Sequence, residues 1–152
     1  MEGVKEDMDM DEMSYEERKD GFGRVMECAL EMYIISGGDD RSKYAMKARI
    51  KQAEEFGYSD LAMEYIEKVF SYELSRNAQD SNNPLESCAE AAGIAEELGF
   101  HELGGRCMDD LLEHAKENMG ETAANMVRHK MRMMGVGRYA RDSHSEYGPQ
   151  GP

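Results

Sequence analysis

The nine residues Ala53-Glu54-Glu55-Phe56-Gly57-Tyr58-Ser59-Asp60-Leu61 return 42 positions later as Ala95-Glu96-Glu97-Leu98-Gly99-Phe100-His101-Glu102-Leu103. Five positions are identical, and three exchange like for like: Phe for Leu, Tyr for Phe, Asp for Glu. A period of this length is the mark of stacked helical pairs, each of which buries its apolar face against a neighbour. Each copy reads as the corner of a helical hairpin. One helix ends at Phe56 or Leu98, Gly57 or Gly99 takes a left-handed cap, and Ser59-Asp60 or His101-Glu102 opens the next helix.

The apolar spacing on either side of the corners has a helical period. Met46, Ile50, Ala53 and Phe56 fall on one face before the first corner. After it, Leu61/Ala62, Tyr65/Ile66 and Val69/Phe70 recur every four residues. Leu85, Cys88, Ala92, Ala95 and Leu98 line the helix before the second corner, and Leu103, Cys107, Leu111 and Ala115 the helix after it, with Met108 and Leu112 alongside. At the 42-residue offset Tyr65 aligns with Cys107, Ile66 with Met108, Val69 with Leu111 and Phe70 with Leu112, so apolar type persists where identity does not. Ala62-Met63 align with Gly104-Gly105, which would let the second pair approach more closely, at about 1 kcal/mol each in helix propensity.

The flanks are less regular. Residues 1–13 alternate acids with Met and lack a helical or strand period, which predicts an acidic, disordered N-terminus. Ser14-Tyr15-Glu16-Glu17 has a capping-box spelling, but Gly21 and Gly23 are expected to interrupt the helix it would open. From Phe22, the residues Val25, Met26, Ala29, Leu30 and Tyr33 share a stripe that Ile34 and Ile35 widen, and Gly37-Gly38 ends that helix. The next starts near Asp40 or Ser42. Ser75 to Asn83 reads as a loop, and Asn83-Pro84-Leu85-Glu86 as a helix start. Ala123, Val127, Met131 and Met134 form a last amphipathic row, and Met134-Gly135-Val136 looks like a third, worn corner. The whole is an all-α fold of about six helices: two hairpins related by the repeat, with flanking capping helices, over residues 14–141. Residues 142–152 have the composition of a disordered tail.

These features resemble tetratricopeptide-like helical repeats. The residues that carry the resemblance are the Leu-Gly-aromatic corner and Ala at close-packed positions, over roughly residues 42–139. The 42-residue unit is longer than the 34 of that family and lies nearer the armadillo and HEAT range. The resemblance implies a partner-binding scaffold without chemistry of its own.

Charge narrows the partners. The formal net charge of −14 repels phosphate polymers at long range. Yet from Met119 onward five bases (Arg128, Lys130, Arg132, Arg138 and Arg141) face three acids. Met126, Met131, Met133 and Met134 share a short helix with the first three of these bases, and Met side chains re-pack readily around different partners. Arg128, Lys130, Arg132, Met133, Arg138, Tyr139 and Arg141 are therefore the candidate partner-binding residues. A solvated basic edge on an ordinary core stripe is the plainer account of the same pattern. The favoured role is a non-catalytic adaptor for a protein or peptide. A nucleic-acid-associated regulator using the five bases is the alternative, and self-association through exposed stack ends is a further expectation.

No catalytic, metal or cofactor site is predicted. Asp7, Asp9 and Asp11 begin like a calcium loop, but Glu12 stands where Gly is needed and Arg18 where Glu is needed. Cys28, Cys88 and Cys107 lie on apolar stripes, where a small buried hydrophobe is the expected role. His101, His114, His129 and His144 lack the Glu-x-x-His spacing of a di-iron bundle. No apolar run approaches the length of a membrane span, and three cysteines without paired spacing suit a reducing, cytoplasmic setting.

Overall fold

A computed structural model describes residues 2–77 and 84–136, with the backbone alone for residues 2–13, 77 and 84. It contains six α-helices: α1 (Glu2–Ile35), α2 (Asp40–Glu55), α3 (Ser59–Asn77), α4 (Pro84–Glu97), α5 (His101–Asn118) and α6 (Glu121–Met134). There is no strand among the described residues, so the chain is all-α. Its contacts gather into two compact units, Met1–Tyr65 and Ile66–Pro152, whose boundary falls inside α3.

In the first unit α1 is longer than its apolar pattern. The helix runs through residues 2–13, where the absence of a period predicts disorder, and it passes Gly21 and Gly23 without a break. Glu, Met and Lys are strong intrinsic helix formers, so an acidic segment can be helical without an apolar face. The cost of the two glycines is offset by packing. Phe22 between them meets the rings of Phe56 and Tyr58 edge-on and tilted, with centroids at 5.6 and 6.0 Å. Met26, Leu30 and Tyr33 are buried, and so are Met46, Ile50 and Ala53 of α2. The buried stripe of α1 is narrower than its sequence suggests: Val25, Ile34 and Ile35 are 41%, 43% and 80% exposed. Phe56 also leaves the predicted α2 face. It is the cap residue at the end of the helix, and it is 58% exposed.

Polar contacts fix the ends of this unit. Asp39 caps α2 by accepting from the Ser42 amide at 2.8 Å, a bond that holds its carboxyl below its ordinary 3.8. The Lys19 ammonium donates to Asp60 Oδ2 at 2.8 Å; the bond raises the lysine's pKa and lowers that of the aspartate. Tyr65 donates its hydroxyl to Glu27 Oε1 at 2.7 Å, and burial together with that carboxylate pushes the phenol well above its usual range.

In the second unit α5 is the central helix, with contacts to both α4 and α6. It buries eight residues in two adjoining rows: Leu103, Cys107, Leu111 and Ala115 on the predicted one, and Gly104, Gly105, Met108 and Leu112 beside it. Facing it, Cys88, Ala92 and Ala95 of α4 are fully buried, with Ala89 and Ala91, while Leu85 and Leu98 at its ends are half-buried. In α6 the inner row is Ala124, Val127 and Met131, with Ala123 and Met134 at its edges. The helix α3 continues to Asn77, past the predicted loop start at Ser75; residues 78–83 and the predicted tail at 142–152 lie outside the described residues. The one buried charge of α3, Glu73, accepts from Arg76 Nη2 at 2.7 Å and Nε at 3.2 Å, a charge-assisted pairing that offsets desolvation.

Both corners have the predicted left-handed glycine, with φ of +86° at Gly57 and +88° at Gly99. They also share one hydrogen-bond pattern. Gly57 N–H donates to the Glu54 carbonyl and Tyr58 N–H to that of Ala53; Gly99 and Phe100 do the same to Glu96 and Ala95. This is a Schellman closure, which satisfies carbonyls that the helix end leaves open. A side chain straps each corner as well. Ser59 donates to Glu54, and His101 Nδ1 lies 2.9 Å from Glu96 Oε1, so the same two positions are used 42 residues apart. The worn third corner closes in the same manner, Gly135 onto Arg132 and Val136 onto Met131, with Val136 buried.

Candidate functional site

The helix α6 carries two rows of side chains. Ala124, Val127 and Met131 point into the unit, whereas Met126, Lys130 and Met133, spaced by four and three, form a second row on the outside. Met126 is 58% and Met133 74% exposed, large values for apolar side chains on so polar a chain. Lys130 between them is exposed and has no ion pair among the described residues.

The outer row borders a groove. Leu85 and Ala89 of α4, Met108 and Leu111 of α5, and Met126 and Val127 of α6 form its apolar walls, and Glu86 and Lys130 stand at its rim. The cavity measures about 80 Å³, several times what one water needs. An apolar floor with one acid and one base at the edge is complementary to an aliphatic group.

The predicted site residues divide. Lys130 and Met133 stand on the outer row, and Arg132 is exposed on the same helix. Arg128 is committed elsewhere: its Nη1 donates to Glu121 Oε1 at 2.9 Å and to Asn125 Oδ1 at 2.6 Å. Arg138, Tyr139 and Arg141 lie outside the described residues. Sequence alone does not single out the α4 and α5 walls. Leu85, Ala89 and Met108 fit an ordinary core pattern, and Ala89 and Met108 are indeed buried, since spacing shows which face is apolar but not where packing leaves a cavity against it.

Groups with chemical potential are dispersed. Burial pushes the Cys107 thiol up to about 12, so it is not a thiolate at neutral pH. Cys28 is exposed, a correction to its expected burial; its place on α1 lies away from the Met26–Leu30–Tyr33 row. The Glu96 Oε2 and His114 Nε2 atoms are buried without a hydrogen-bond partner, but they sit at different points of α4 and α5. The described residues contain no group of His, Cys, Asp or Glu arranged to hold a metal ion; the side chains of Asp7, Asp9 and Asp11 lie outside them. No helix among the described residues is long and apolar enough to cross a membrane. Compared with models of protein families, with curated proteins and with solved structures, the chain matches none.

Proposed function

We propose that the chain is a non-catalytic helical-repeat adaptor which holds a protein or peptide partner in the groove of α4, α5 and α6. The observation that carries this reading is the outer row of α6: Met126 and Met133, 58% and 74% exposed, flank Lys130, and Met126 and Lys130 line an apolar groove. Exposed Met at a groove is costly to leave in water and adapts well to a partner's side chains. The two matched corners support the scaffold part of the reading, because hairpins closed in the same way are the building units of repeat scaffolds. Nucleic acid ranks second, since Arg128 is engaged by Glu121 and the net charge opposes a polyanion. Free cysteines, one of them exposed, suit a reducing compartment such as the cytoplasm.

The test is affinity capture from the native cell with in-situ cross-linking, comparing the wild type with a Met126→Asp/Lys130→Glu double variant. Both positions are exposed, so the variant is expected to fold. A partner cross-linked to α4 or α6 in the wild type and lost in the variant supports the reading. An identical set of captured proteins from both would refute it.

A further inference from the structure

One face of α1 has no account in the core of its unit. Gly21, Val25, Cys28, Met32 and Ile35 recur at spacings of four, three, four and three, the seam of a coiled coil, over roughly 21 Å of helix. The buried row, Met26, Leu30 and Tyr33, lies on another side of the helix. The seam faces solvent: Val25 is 41%, Met32 61% and Ile35 80% exposed, and Cys28 is exposed. Nothing lies within 4 Å of where a side chain on Gly21 would begin.

We propose that this seam pairs with the same seam of a second copy, antiparallel, about a twofold axis passing beside Cys28. An isologous pair sets each position of one helix against its symmetry mate in the other. Centred on Cys28, the open space over Gly21 receives Ile35 of the second copy, Val25 packs beside Met32, and Cys28 meets Cys28. The largest side chain thus falls opposite the smallest. Charge agrees with this direction. Arg24 and Glu31 occupy one flank of the seam, seven residues apart, exposed and without partners among the described residues. Antiparallel helices bring like flanks together, so each Arg24 meets Glu31 of the other copy and two ion pairs form. A parallel pair would set Ile35 against Ile35, leave Gly21 opposite Gly21, and separate the two charges. Exposed ion pairs contribute little affinity but decide direction and register. An overlap this short is at the small end of stable interfaces, so the dimer assembles with rising concentration rather than permanently.

The experiment uses the full chain. Sedimentation velocity from about 1 to about 500 μM is expected to show a monomer passing into a dimer. Ile35→Asp should weaken the dimer at least tenfold, with the helical circular dichroism unchanged because Ile35 is 80% exposed. Arg24→Glu and Glu31→Arg should each weaken it by about three- to tenfold at low salt, and the double swap should restore it. A short bis-maleimide should join two chains through Cys28. A monomer at every concentration overturns the proposal, as does a dimer indifferent to Ile35→Asp. If Ile35→Asp fails to fold, the charge series decides alone, and a double swap that does not restore the dimer overturns the antiparallel arrangement.

Discussion

Two glycines in this chain respond oppositely to the same substitution, because they occupy opposite backbone regions. Gly99 closes its corner at φ +88° with open space around it, so an added Cβ meets no neighbour and the cost is the backbone strain alone. Gly99→Ala is expected to destabilise by about 1 kcal/mol. Gly93 lies within α4, also with nothing within 4 Å, and Gly93→Ala should stabilise by about 0.5–1 kcal/mol through helix propensity. Urea midpoints of the two variants, moving in opposite directions, check both statements. Gly104 is a different case: a Cβ there would come within 2.5 Å of Glu96 Oε2, so its glycine answers a close approach rather than a turn. The repeat makes both glycine roles legible in the sequence, since Gly57 and Gly99 align with each other while Gly104 aligns with Ala62.

At the scale of elements, helix starts are more legible in the sequence than helix faces. The expected starts near Asp40 or Ser42 and at Pro84 coincide with the first residues of α2 and α4, because start signals act within a few residues. The α2 cap also implies a pH dependence. The folded Asp39 carboxyl titrates below its ordinary 3.8, so the unfolded chain takes up the proton first as pH falls. The stabilisation is complete above that value and is lost as pH drops through the folded pKa. Asp39→Asn keeps a capping acceptor without a titrating group, so its stability should match the wild type near neutrality and decline less steeply below pH about 4. Denaturation midpoints across the acid range decide this; parallel acid limbs would show that the cap is not a contributor. Faces are harder. The apolar stripe of α1 joins Val25 to Met26, yet one is 41% exposed and the other fully buried. Two apolar rows on one helix give a single broad stripe to any count of spacing.

For the whole molecule, thiol chemistry separates inside from outside. Cys28 is exposed, whereas Cys88 and Cys107 are buried and burial pushes the Cys107 thiol up to about 12. At about 1 μM protein, one thiol per chain should react promptly with an aromatic disulfide reagent, and all three after denaturation. Rapid reaction of two or three under native conditions would contradict the burial. The sequence by itself determined the all-α class, the corners at Gly57 and Gly99 and the inner rows of α5, because caps, turn glycines and helical spacing are local. It also carries the shared apolar type of aligned pairs such as Ile66 with Met108, both fully buried. Only the tertiary structure decided which apolar residues remain uncovered: Met126 at the groove, Met133 on the outer row of α6, and Val25, Met32 and Ile35 along α1. Exposure depends on what distant segments leave bare, and no periodicity within one helix contains that information.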